Sequence, residues 1–175
     1  VRFVALAVIL IVLAGFWIAR GRLQALGLDF LAWNRTPGPT LLKAVALGAA
    51  AALAVAWVYR SVQTGSLPTF ADLTMGVTLG PLVEELVFRG ILFYAVMLLL
   101  SRWMRDAGWP TVIVIAAVFA ASHAGKAGIT ALQIGTIFLT GTLYGWLRKG
   151  SGSTVPPFCA HVAYNAVLLV IAFVR

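Results

Sequence analysis

Apolar residues dominate the chain in long blocks, and breaks of Gly, Pro and charged residues separate them. Nowhere do they alternate with polar ones in the period-two pattern of a barrel strand. The blocks predict six membrane helices, the fourth of them short of a full span. The first runs from Val1 to Ala19. A connector from Arg20 to Pro39 follows, with a helix-breaking Pro37-Gly38-Pro39 at its end. The second span is Thr40 to Tyr59, rich in Ala and carrying Gly48, and small residues allow close helix approach in lipid. Asp72 to Leu100 is too long for one straight span of about 20 residues. Because Pro81 has no N–H and clashes with the preceding turn, a kink or restart is expected at Gly80-Pro81, with the next two glutamates in the new first turn. Pro110 to about His123 forms a short fourth helix. Ile129 to Leu147 forms a fifth, with Gly141 and Gly145 as a GxxxG face. Arg148 to Thr154 reads as a basic loop, and Pro156-Pro157 opens a last helix to Val174.

Composition turns this pattern into a class. Of the 175 residues, 62% are hydrophobic and 10% charged, with a mean hydropathy of +1.00. Soluble chains carry roughly 25% charged residues. The expectation is an all-α, polytopic membrane bundle of about six transmembrane helices, one domain over residues 1–175. The chain begins without Met, so the natural N-terminus is not settled, and a signal peptide is disfavoured because no small-x-small site precedes Arg20. The net charge of +8 comes from 13 Lys and Arg against 5 Asp and Glu. With no aromatic-interleaved basic patch, nucleic acid is set aside, and the cations are assigned to loops beside lipid headgroups. Arg20, Arg22, Arg35, Arg102, Arg105, Arg148 and Lys149 fall on one side, which positive-inside logic makes cytoplasmic. Cys159, the single cysteine, permits no intrachain disulfide and reads as a small buried residue.

Against this background a few polar residues stand out. The only two glutamates, Glu84 and Glu85, are adjacent in an apolar block, and Arg89 follows four residues after the second. Ionisable groups at such positions are expensive and by default mark function. Glu85 and Arg89 share a helix face and can pair, while Glu84 lies about 100° round, as a free carboxylate. The alternative is a polar knot that only fixes packing. Both histidines also sit in apolar helices: Phe119 and His123 are four apart, as are His161 and Asn165. A carboxylate with a histidine can deprotonate water, and a second histidine with an amide can stabilise an oxyanion. The same Glu84, His123 and His161 could instead ligate zinc and leave a fourth position for water. A serine triad or Cys–His dyad is poorly supported by the spacings.

These three motifs, Glu84-Glu85-Leu86-Val87-Phe88-Arg89, Phe119-Ala120-Ala121-Ser122-His123 and His161-Val162-Ala163-Tyr164-Asn165, resemble the EExxxR, FxxxH and HxxxN of the CAAX-protease and bacteriocin-processing (Abi) family of intramembrane proteases. The resemblance covers about residues 80–165. It implies an all-helical membrane endopeptidase in which Glu84 and His123 activate water. His161 and Asn165 would form the oxyanion site, with Glu85, Arg89 and Phe119 in support. It also implies a peptide or protein substrate, lipid-modified or not, in a prokaryotic-type membrane, and the basic loops put the expected cavity mouth on the cytoplasmic side. The metal-free reaction is favoured, with zinc as the alternative. A non-catalytic scaffold or immunity protein is the reading from outside enzymology.

One difficulty is visible in the spacing. His123 ends its helix about 20 Å from Pro110, whereas His161 lies about one turn past Pro157. In plain alternating spans the two histidines would differ in depth by roughly 10–15 Å, too far to share a water. The last helix is therefore expected to begin recessed, with the 150–157 loop dipping into a water-filled cavity.

Overall fold

The computed structural model describes residues 36–59, 73–126 and 128–174. All of them belong to the unit Leu31–Arg175. They are helical, with no strand among the described residues, and form five rods: α1 (Gly38–Val58), α2 (residues 73–100), α3 (Gly108–His123), α4 (Ala131–Ser151) and α5 (Val155–Val174). The expected first span, Val1 to Ala19, and most of the Arg20 to Pro39 connector lie outside the described residues, so five of the six expected helices are described.

Every rod presents large apolar side chains outward. Leu42, Leu53 and Trp57 of α1 are exposed, as are Ile113, Val114 and Val118 of α3, Leu132 and Leu139 of α4, and Val170 and Phe173 of α5. Outward faces this apolar belong in a low-dielectric solvent rather than in water. By length and composition α1 and α5 can each cross a membrane.

The inward faces use small residues. On α1 the buried positions are Ala44, Gly48, Ala52 and Ala56, a strict every-fourth stripe that packs along α5. A Cβ on Gly48 would fall on the backbone of Ala160, so the two helices touch main chain to main chain. On α4, the Gly141/Gly145 face receives α3. A Cβ at Gly141 would lie 3.2 Å from the Phe119 ring, and one at Gly145 3.0 Å from Val112. Without a hydrophobic drive between helices in lipid, this close fit is what holds them together.

α2 departs from the expected break at Gly80-Pro81. The backbone remains right-handed helical through Leu79 (φ −68°, ψ −41°) and Gly80 (φ −59°, ψ −58°). The proline is absorbed by widening the helix: Met75–Leu79 is π-helical, and Gly80 N–H donates to Met75 O, five residues back. A Cβ at Gly80 would stand 2.5 Å from that oxygen, so this register needs glycine there. A second π-helical stretch, Leu86–Leu92, carries Arg89. The glutamates consequently lie inside a continuous helix and gain no first-turn dipole.

α4 also runs further than expected. Thr130 caps it in a reciprocal box with Gln133. It ends at Gly152, whose φ of +66° is left-handed. Arg148 and Lys149 are therefore helical rather than loop residues. Arg148 is buried and its Nε donates to Arg89 O, which removes it from the set of headgroup-facing cations. Cys159 is half-buried rather than fully buried. The turn after α4 is short and enclosed: Ser153, Thr154, Pro156 and Pro157 are all buried. α5 thus starts inside the protein at Val155, less than two turns before His161.

Gly48→Leu is expected to separate α1 from α5. The loss should match overpacking of a tight contact, about 1–3 kcal/mol or more. Thermal unfolding in detergent checks it, and an unchanged midpoint would contradict the main-chain contact.

Candidate active site

Arg89 is the centre of the buried polar cluster. It is completely shielded from solvent. Its Nη1 donates to Glu85 Oε1 at 3.1 Å and its Nη2 to Gly141 O at 3.0 Å. Its guanidinium lies 4.4 Å from the Phe119 ring centre, 5.3 Å from Tyr144 and 6.0 Å from Phe88. Helical spacing of four brings Glu85 under Arg89 on α2. The missing side chain at Gly141 lets the guanidinium reach the α4 carbonyl. The aromatic faces supply cation–π attraction in place of water.

Glu85 Oε1 also accepts from His161 Nδ1 at 2.9 Å, joining α2 to α5. A carboxylate oxygen only accepts, so Nδ1 carries the proton and His161 Nε2 is left for other work. That nitrogen lies 3.9 Å from Glu84 Oε2. The His161 ring stacks on Tyr144, with centroids 4.8 Å apart and planes 24° apart. Glu84 differs from its neighbour as the helix geometry requires. Glu85 is buried at 1% exposure, whereas the Glu84 side chain is 34% exposed and makes no hydrogen bond among the described residues.

His123 is held from behind in the same way. Its Nδ1 donates to Phe119 O, one turn earlier, at 2.9 Å. Ser122 Oγ donates to the same carbonyl at 2.7 Å and sits 3.2 Å from Nδ1. His123 Nε2 has no partner among the described residues. The Phe119 ring is the common wall, 4.8 Å from the His123 ring, 6.2 Å from His161 and 5.0 Å from Phe88. Asn165, one turn beyond His161, donates from Nδ2 to Gly76 O of α2 at 2.6 Å.

Glu84, His123, His161 and Asn165 all line one cavity of about 270 Å³, with Phe119, Tyr144 and Pro81 also in its wall. The enclosed start of α5 brings His161 to Glu84 despite the unequal positions of the histidines along their own helices. Glu85 and Arg89 lie behind the wall. Among the described residues, no group of three His, Cys, Asp or Glu side chains is arranged to hold a metal ion.

The model of the Rce1-like type II CAAX prenyl endopeptidase family matches residues 66–167, more than half of the chain and a stretch that includes all three motifs. The chain belongs to this family. Rce1-like proteins are membrane-embedded CAAX proteases, which agrees with the outward apolar faces of the rods. No curated protein and no solved structure matches the chain.

Sequence reasoning missed three contributors to this Rce1-like site. By sequence Gly141 is only a packing glycine, yet its carbonyl is an Arg89 acceptor. Tyr144 is buried against His161, and its hydroxyl has no partner among the described residues, as is true of Glu85 Oε2 and Arg89 Nε. Arg148, read as a loop cation, binds the Arg89 carbonyl and lies 5.5 Å from the Phe93 ring. The available signal was their spacing: residues 141, 144 and 148 share one helix face.

Arg89→Ala is expected to destabilise the protein by ~3–5 kcal/mol, since it leaves Glu85 buried with its main counter-charge removed. Arg89→Lys should recover only part of this, because an ammonium cannot span Glu85 and Gly141 as a fork does. Denaturant or thermal unfolding of the three proteins checks the ranking.

Proposed function

We propose that the chain is an intramembrane endopeptidase that hydrolyses a peptide bond with directly activated water and no covalent intermediate. The observation carrying this reading is the convergence of Glu84, His123, His161 and Asn165 on one cavity, with each histidine's Nδ1 tied back and its Nε2 left over. The Glu84 carboxylate and the His123 Nε2 lone pair take the proton from a water between them, and the resulting hydroxide attacks the substrate carbonyl carbon. His161, held at Nδ1 by Glu85 with its Nε2 turned to the cavity, and the Asn165 amide donate to the oxyanion. The tetrahedral intermediate collapses as the proton held by Glu84 or His123 passes to the leaving amine.

One observation favours a zinc alternative. A carboxylate holding Nδ1 of a histidine, as Glu85 holds His161, is also how proteins orient a metal-binding imidazole. Glu84, His123 and His161 would be the ligands. The metal-free reaction is the one we propose, with zinc as the alternative. Metal content of the purified protein, together with activity before and after chelation, separates the two.

The substrate is a peptide or protein, lipid-modified or not, and comparing farnesylated with unmodified CAAX peptides decides which. The protein is proposed to be multi-pass in a prokaryotic-type membrane, with the cavity opening on the cytoplasmic side.

Glu84→Gln and His123→Ala are each expected to abolish cleavage of a fluorogenic peptide while the unfolding transition stays in place. Asn165→Ala should cost ~10²–10³ in kcat. Full activity in Glu84→Gln would remove the mechanism.

A further inference from the structure

Gly76 O is a carbonyl that its own helix cannot satisfy. In the α register it would accept from Gly80 N–H, but that group donates to Met75 O. In the π register of Met75–Leu79 the donor would be residue 81, five positions on, and Pro81 has no N–H. The donor comes instead from another helix: Asn165 Nδ2 of α5, at 2.6 Å. Gly76, Pro81 and Asn165 all line the same cavity.

A carbonyl only accepts, so the amide nitrogen of Asn165, and not its oxygen, must face Gly76. The two N–H bonds of a side-chain amide share one plane. Fixing one on Gly76 O therefore fixes the direction of the other. We propose that Pro81 is a positioning residue for catalysis: by depriving Gly76 O of any helical donor, it anchors the Asn165 amide and holds its second N–H ready for the oxyanion. Gly80 is part of the device, since only a residue without Cβ lets its own N–H reach back to Met75 O. An oxyanion donor is worth most when its orientation is set before the reaction begins. The inference rests on the reading of Asn165 as an oxyanion donor.

Pro81→Ala tests it, because alanine restores the missing N–H and is the best helix former. The chain has two asparagines, Asn34 and Asn165, so 15N-asparagine labelling in detergent micelles gives two pairs of side-chain amide signals. Loss of one pair in Asn165→Ala assigns them. In the unsubstituted protein the Asn165 amide protons should exchange slowly with solvent. In Pro81→Ala they should exchange faster and move towards the position of a free amide. With a farnesylated fluorogenic CAAX peptide, Pro81→Ala should lower kcat by roughly 10-fold, as a misplaced catalytic group does, with KM within about twofold. The Pro81→Ala/Asn165→Ala double variant should be no slower than Asn165→Ala alone, since both changes remove the same interaction. An unmoved Asn165 signal in Pro81→Ala, or losses that multiply in the double variant, overturns the anchoring while leaving Asn165 as a donor. Full activity in Asn165→Ala overturns the anchoring together with the reading beneath it. If Pro81→Ala does not fold, the unsubstituted protein still decides, because fast exchange of both Asn165 amide protons overturns the proposal.

Discussion

The structure depends on one desolvated cation. Arg89 cannot give up its proton, and no solvent reaches it, so everything within reach must compensate a full positive charge in an apolar surround. Glu85 supplies the counter-charge, Gly141 a carbonyl, and three aromatic rings their faces. The Arg89 carbonyl is itself gripped by Arg148. The result ties α2 to α4 at two points of opposite polarity. Through Glu85 the tie extends to His161 and hence to α5. Buried ion pairs seldom add net stability over apolar packing of the same volume. What this one adds is direction: α2, α4 and α5 have few arrangements in which Arg89 is satisfied, and those are the ones in which the reactive-looking side chains face a common space.

The two adjacent glutamates divide along this line. One residue of helical rotation separates a carboxylate that is buried and doubly hydrogen-bonded from one that is partly open and unencumbered. Identical chemistry is thus given two environments, one suited to holding an imidazole and one to meeting a water molecule. The two histidines are made alike by a different route, each bound at Nδ1 by an acceptor on its inner side. In one case that acceptor is a carboxylate and in the other a backbone carbonyl. This gives the His161 ring a neighbouring negative charge that the His123 ring lacks, and an asymmetry of role between them follows.

Much of the site was legible because it rests on helical periodicity. The Glu85–Arg89 contact, the separate facing of Glu84 and the two four-residue pairs follow from 3.6 residues per turn. The Gly141–Gly145 face is read from the same period, whereas the small stripe at 44, 48, 52 and 56 emerges from the packing of α1 on α5. What could not be read were adjustments that leave the period unchanged in sequence but shift it in space. Pro81 reads as a break, yet five residues of π-helix absorb it, because Gly80 tolerates the close approach of Met75 O. Arg148 reads as a loop cation because it is basic and near Gly150 and Gly152, but the helix persists until the left-handed glycine. Tyr144 gave no signal by residue type, since an aromatic in an apolar helix is ordinarily packing. Its place against His161 emerges only when α4 and α5 are set side by side.

The main-chain contact between Gly48 and Ala160 carries a consequence for which parts of the chain answer for the chemistry. Ala160 immediately precedes His161, and Gly48 lies on α1, outside the stretch matched by the family. Where two backbones touch there is no side chain to flex and absorb an error, so a sideways or lengthwise shift of α1 passes undiminished to the imidazole one residue away. The helix therefore acts as a fence post for the site although it contributes no polar group to it. Its freedom to vary is confined to the lipid-facing positions, while the every-fourth stripe must remain Gly or Ala for as long as His161 is to keep its place beside Glu84.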